Sequence, residues 1–189
     1  MARGRKVNSN GERSKKLLLK KAIELFSERG YHETKISDIV TAADLTQPTF
    51  YLYFQSKESI YIDLNTQFKN TFLEILQRDL AWDENSSSII DDIKKCMTNL
   101  FTYFSNNPKL TIIGFYRSEE AHSIKETFAK ILEKKISEVN YSDVDSKVVA
   151  ESLVGSVERL TLSTLLKGIK IPEQLASDII NIYFVKQYA

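Results

Sequence analysis

Apolar side chains recur along this chain at spacings of three and four, and no sustained apolar–polar alternation interrupts them. That period belongs to helices whose one face is buried, so the pattern predicts an all-α protein of about nine helices. A first helix starts near Ser9-Asn10-Gly11-Glu12, a possible capping box, places Leu18, Ala22, Leu25 and Phe26 on one stripe, and stops at Gly30. Ser37 can cap a short second helix that turns Ile39, Val40 and Ala43 inward. Thr46 can cap a third that runs to about Phe54. A longer helix from Ser56 to about Asp79 carries Ile60, Leu64, Phe68, Phe72, Ile75 and Leu76, and the polar run Asp83 to Ser88 ends it.

Further helices are expected over Ile89–Asn106, from Pro108 to about Arg117, over Ser118–Val139, over Asp143–Lys167, and from Pro172 to the last residue. The last two carry Val149, Leu153, Val157 and Leu160, and Ile179 and Ile182, with small residues beside the first stripe that allow a helix to approach closely. These six residues are the expected contacts of a homodimer.

The second and third helices, separated by two or three residues and with the third behind a hydroxyl cap, have the form of a helix-turn-helix. Thr46 as N-cap makes Gln47, Pro48 and Thr49 the first turn, which faces base edges when such a helix enters the DNA major groove by its N-terminus. Proline is tolerated there because its missing N–H would have no partner in the helix. The stretch TQPTFYLYFQSKES holds four aromatics with two tasks. Phe50 and Phe54 share the inward face with Leu45, while Tyr51 and Tyr53 point away and suit phosphate contacts through a hydroxyl on a rigid ring. Lys57, in the first turn after Ser56, is placed to reach the backbone as a cation.

Charge sharpens this picture. The 189 residues sum to +1, yet residues 1–60 hold 11 Lys and Arg against 7 Asp and Glu, and residues 1–35 hold 10 against 4. A basic excess confined to the end that carries the helix-turn-helix fits a polyanionic partner there. Ahead of the first helix, Arg3-Gly4-Arg5-Lys6 resembles the core of an AT-hook, whose arginines lie along a narrow A·T minor groove; a solubilising tail is the alternative.

Residues 14–64 resemble the DNA-binding domain of the TetR family of bacterial transcriptional regulators. The resemblance rests on Phe26, Gly30, Tyr31, Thr34, Ile39, Ala43, Thr46, Thr49, Tyr51, Tyr53, Phe54, Lys57 and Glu58 in "ELFSERGYHETKISDIVTAADLTQPTFYLYFQSKESI". Two departures stand out. The turn reads Ala43-Asp44-Leu45-Thr46 where the family usually has Ala-Gly-Val-Ser, and Pro48 replaces the usual small residue. Aspartate tolerates the left-handed conformation this turn needs better than most residues. The resemblance implies a DNA-binding domain over residues 1–55, with Thr34 added to the candidate contacts, and a helical effector-binding and dimerisation domain over 56–189, in which 56–80 is the connecting helix. It also implies a homodimer that represses from a palindromic double-stranded operator until a small molecule releases it.

For that effector the candidate lining is Phe72, Phe101, Phe104, Ile112, Phe115, Tyr116 and Phe128, an aromatic set that suits a small lipophilic molecule, although aromatic stripes at helical spacing are more often core. No Gly-rich phosphate loop, clustered Cys/His set or histidine-paired nucleophile is present, so no enzyme, cofactor or metal site is expected. A protein-interaction module is the remaining rival; it explains the stripes but not an exposed Thr49, Tyr51, Tyr53 and Lys57 on a capped second helix. One cysteine, Cys96, and no apolar run near 18 residues point to a cytoplasmic protein rather than a membrane protein.

Overall fold

The computed structural model describes residues 7–81, 88–138 and 144–184. The expected arm with Arg3 and Arg5, most of the polar run after Asp83, and the residues around Val139 and Asp143 lie outside the described residues. Among the described residues there are nine α-helices and no strand: α1 Val7–Arg29, α2 Ile36–Ala42, α3 Gln47–Tyr51, α4 Lys57–Asp79, α5 Ile89–Asn106, α6 Pro108–Thr111, α7 Ala121–Ser137, α8 Ser146–Leu160 and α9 Pro172–Phe184. Two of them widen into π-helical turns, α6 into Ile112–Arg117 and α8 into Thr161–Leu165. No helix among the described residues is long and apolar enough to cross a membrane.

The chain divides into two compact units, residues 1–68 with 109–118, and residues 69–108 with 119–189. In the first, α1 packs on α2, α2 on α3, and the π-helical turn after α6 on α1. Its core is the expected one: Leu18, Ala22, Leu25 and Phe26 meet Ile39, Val40, Ala43 and Phe50, with Ile60, Leu64 and Phe68 from the start of α4. In the second, α5 packs on α9 and α7 on α8, around Phe72, Phe101, Phe104 and Phe128.

Local chemistry moves several boundaries. The cap of α2 is Lys35 rather than Ser37, because Asp38 at the third helical position takes the Lys35 backbone N–H at 3.0 Å and closes the turn two residues earlier. Helix α3 ends at Tyr51 rather than Phe54, and just beyond it Tyr53 donates its backbone N–H to the Phe50 carbonyl at 3.0 Å in a tighter, three-residue turn. Helix α1 begins at Val7, earlier than the Ser9 to Glu12 signal. Two turn positions behave as their sequence asks: Gly30 follows α1 at φ 90°, and Asp44 sits at φ 53° between α2 and α3.

Candidate nucleic-acid interface and interior cavity

The turn between α2 and α3 is built by backbone bonds first. Asp44 in the left-handed region lets Leu45 donate its N–H back to the Val40 carbonyl at 2.9 Å, and the chain then re-enters a helix at Thr46. The Thr46 hydroxyl oxygen accepts from the Thr49 N–H at 3.4 Å and lies 2.9 Å from the Thr49 hydroxyl, so cap and third residue hold each other. Pro48 occupies the first turn without forfeiting a bond. Phe50 is fully buried and packs against Phe54 with ring centres 5.5 Å apart, which fixes the roll of α3. The opposite face is left outward: Gln47 and Pro48 are exposed, Thr49 is half-buried, and Tyr51 is 56% exposed. That face offers an amide, two hydroxyls and a ring edge to whatever meets it.

Tyr53 is half-buried, and its hydroxyl lies 3.3 Å from where a Cβ on Gly11 would stand, so glycine lets the ring lie against α1. Leu52, 76% exposed beside Tyr51, was not anticipated; it follows the last residue of α3 and, two places after the buried Phe50, faces out.

Two of the expected contacts are corrected. Thr34 is fully buried, its hydroxyl donating to the Gly30 carbonyl at 2.7 Å, which spends the side chain on closing the end of α1. Lys57 is turned inward. Its ammonium donates to the carbonyls of Tyr31 and Thr34, both at 2.8 Å, and sits 4.2 Å above the Tyr31 ring. The cation therefore ties the start of α4 to the loop before α2 instead of reaching for a phosphate. Tyr31 in turn packs against Tyr61, Phe26 and His32, so the loop is held by an aromatic cluster.

Residues 109–118 are clasped onto this unit from both ends. Lys109 pairs with Glu28 at 3.5 Å, while the Arg117 guanidinium donates to the carbonyls of Phe26 at 3.1 Å and Glu28 at 3.4 Å, and the Tyr61 hydroxyl donates to the Arg117 carbonyl at 3.1 Å. Two cations at the last turn of α1 also complement its dipole. Between them Gly114 runs so near α4 that a Cβ would lie 2.2 Å from the Phe68 ring. Phe115 is buried in the same unit, with Ile112 and Tyr116 half-buried beside it.

In the second unit the other candidate ligand residues form a packed aromatic core. Phe72 stacks on Phe104 at 6.2 Å and meets Phe128 edge-on at 5.7 Å, and Phe72, Phe101, Phe104 and Phe128 have no exposed surface. An open cavity of about 320 Å³ lies elsewhere in that unit, lined by Leu76, Gln77, Leu80 and Ala81 from the end of α4 and by Ile131, Lys134, Lys135 and Glu138 from α7 and its end. None of the expected aromatics lines it. Lys135, only 6% exposed, donates to the Ala81 carbonyl at 3.1 Å and lies 3.6 Å from an Asp92 carboxylate oxygen. One weak signal of this was legible in the sequence: an apolar stripe on α7 that includes a lysine.

The expected dimer residues divide by exposure. Leu153, Val157 and Ile179 are buried within their own chain, because α8 packs on α7 and α9 on α5, and that corrects their assignment to a partner surface. Val149 and Leu160 are half-buried, and Ile182 is 71% exposed. Val148 and Leu162 are exposed apolar residues on the same helix and its extension, and nothing lies within 4 Å of a Cβ on Gly155. The Tyr183 hydroxyl donates to the Ser152 carbonyl at 3.1 Å and meets the Ser156 hydroxyl at 2.9 Å, locking α9 onto α8. Cys96 is buried, and burial pushes its thiol far above the usual range.

Comparison with known proteins gives four matches of note. The family model described as "Bacterial regulatory proteins, tetR family" matches residues 18–64. An uncharacterised HTH-type transcriptional regulator of Bacillus subtilis, YdgC, is 37% identical over 182 residues, covering 93% of both chains. Among solved structures, a TetR-family transcriptional regulator from Bordetella parapertussis superposes with a TM-score of 0.74 at 17% identity, over 92% of this chain and 95% of that one. AibR, crystallised with isovaleryl coenzyme A and operator DNA, superposes with a TM-score of 0.69 at 21% identity, over 90% and 98%.

Proposed function

This chain belongs to the TetR family of bacterial transcriptional regulators, and from that premise we propose that it is a homodimeric repressor that leaves its operator when a small lipophilic effector binds. It is a DNA-binding regulator and not an enzyme. The observation that carries the reading is the outward first turn of α3, held by the Thr46 cap above a buried Phe50. Gln47, Pro48, Thr49 and Tyr51 read the major groove, and Tyr53 stands behind them against α1. One such helix contacts too few base pairs to be selective; two, in a dimer joined through α8 and α9, reach half-sites about 34 Å apart. The exposed Val148, Leu162 and Ile182 support that surface.

Release by an effector is supported by the structure of residues 109–118. A π-helical turn is uncommon and recurs at functional sites. Here it bears Ile112, Phe115 and Tyr116 and is fastened to α1 by Lys109 and Arg117, so a change in that turn reaches the DNA-binding unit directly. AibR, similar in fold, is known with both an acyl coenzyme A and operator DNA.

The test is a gel shift with the region upstream of the protein's own gene. Wild type is expected to shift a palindromic fragment, and Gln47→Ala with Thr49→Ala and Tyr51→Phe is expected to abolish selectivity while the fold stays intact by circular dichroism. Undiminished selection of the same fragment by that folded variant overturns the reading. A thermal-shift screen of hydrophobic compounds, repeated with the shifted complex, then identifies effectors by release.

A further inference from the structure

Resting on the DNA-binding reading above and deepening it, we propose that Leu52 reads the 5-methyl group of one thymine in each operator half-site through apolar contact in the major groove.

Leu52 is the most exposed large apolar side chain among the described residues, at 76%. A lone exposed leucine needs no explanation, so its surroundings decide the matter. It caps α3 with helical backbone, φ −70° and ψ −24°, and the rotation of the helix therefore continues through it. Phe50, fully buried, fixes how that helix is rolled. Two residues amount to about 200° of rotation, so Pro48 and Leu52, two places to either side of Phe50, both stand nearly opposite it. Pro48 is exposed as well, and Tyr51 beside them is 56% exposed. The crest of the outward face is therefore apolar, and the polar groups of Gln47, Thr49 and Tyr51 lie to its sides.

A leucine side chain has no donor and no acceptor, so it takes nothing from a phosphate or from the polar edge of a base pair. The major groove presents one apolar group, the C5-methyl of thymine. Against that methyl Leu52 loses water without stranding a polar partner. Against the amino groups and acceptors of the other base edges, hydration would be lost with no bond in return. Leu52 thus favours thymine at its position, while Gln47, Thr49 and Tyr51 discriminate by hydrogen bonds.

Selection from a random duplex library gives the palindrome the protein prefers, and replacing each of its thymines by deoxyuridine then removes one methyl while keeping every hydrogen bond. Wild type is expected to lose about fourfold in affinity when the contacted thymine is replaced in one half-site and about fifteenfold when both are, the factor that burial of one carbon per half-site gives. Leu52→Ala, a change at an exposed position, is expected to keep the fold and to make the same replacement neutral. Leu52→Met, which keeps an apolar side chain of similar reach, is expected to retain most of the discrimination. Gln47→Ala is expected to weaken binding and keep the discrimination in full, which separates general weakening from a lost methyl contact. Deoxyuridine tolerated at every thymine by wild type, or discrimination in Leu52→Ala as large as in wild type, overturns the methyl contact and leaves the DNA-binding reading standing. Failure of the library to converge on any sequence overturns both.

Discussion

Arg117 donates from its guanidinium to the carbonyl of Phe26 at 3.1 Å, and that same carbonyl accepts the backbone N–H of Gly30. The end of the π-helical turn and the last turn of α1 therefore share one acceptor. Arg117→Ala is expected to lower the stability of the first unit by about 1–2 kcal/mol. The loss should be concentrated at the amide of Gly30, read as faster hydrogen exchange there. Lys at this position should not restore it, because a single ammonium cannot span the Phe26 and Glu28 carbonyls as the planar fork does.

Lys57 makes a prediction that separates two roles for one cation. An ammonium on a phosphate releases counterions, so losing it lowers the slope of log affinity against log salt by about 0.9. Here the ammonium is held by Tyr31 and Thr34 carbonyls. Lys57→Met is expected to weaken operator binding by loosening the loop before α2, with the salt slope unchanged. A slope reduced by one phosphate's worth would return Lys57 to the DNA.

Much of the helix-turn-helix was legible because its determinants are local. Thr46 caps α3 through a residue three places on, Asp44 supplies its own left-handed turn, and Phe50 is placed inward by the helical period. Lys57 was harder to read for the opposite reason: the carbonyls that hold its ammonium lie 23 to 26 residues away, and nothing in the spacing announces them. The same holds for Leu153 and Val157, whose stripe was visible while the identity of the helix it meets was not. Sequence periodicity says that a face is buried, and not by what.

Gly114→Ala sets a small gain against a larger loss. Alanine in a helix is better than glycine by roughly 1 kcal/mol. The added Cβ, however, would stand 2.2 Å from Cγ of Phe68, a fixed ring position and not the end of a flexible chain. Overpacking of this kind costs about 1–3 kcal/mol, so net destabilisation is expected. Phe68→Leu should rescue part of it, and a double-mutant cycle by urea unfolding should give a coupling of at least about 0.5 kcal/mol.

Asp79 predicts an acid limb. Burial pushes its carboxyl up, but hydrogen bonds from Arg78 at 2.8 and 2.9 Å and from Asn99 at 2.8 Å more than offset this, and the group titrates below the usual carboxylate range. A carboxyl lowered in the folded state contributes stability that is complete above the unfolded value of about 3.9 and is lost as pH falls through the folded value. Asp79→Asn is expected to be less stable than wild type at pH 7, with the gap narrowing as pH drops below about 4. Parallel curves of melting temperature against pH for the two proteins would show that Asp79 does not carry this limb.

Under the proposed dimer, exposure alone separates a candidate partner contact from a core contact on the last two helices. Ile182 is 71% exposed on α9, whereas Leu153 on α8 is buried within its own chain. A charge at Ile182 costs the monomer little but has no place in an apolar interface, where an unpaired carboxylate must be desolvated. Ile182→Glu is therefore expected to shift the protein to monomer in analytical ultracentrifugation, leave its monomer fold intact, and weaken binding to a palindromic operator far more than to a single half-site. Leu153→Ala should behave in the opposite way, losing about 2–5 kcal/mol of stability as a cavity forms while the surviving folded protein still pairs. A dimer that tolerates Ile182→Glu would move the partner surface away from this face of α9.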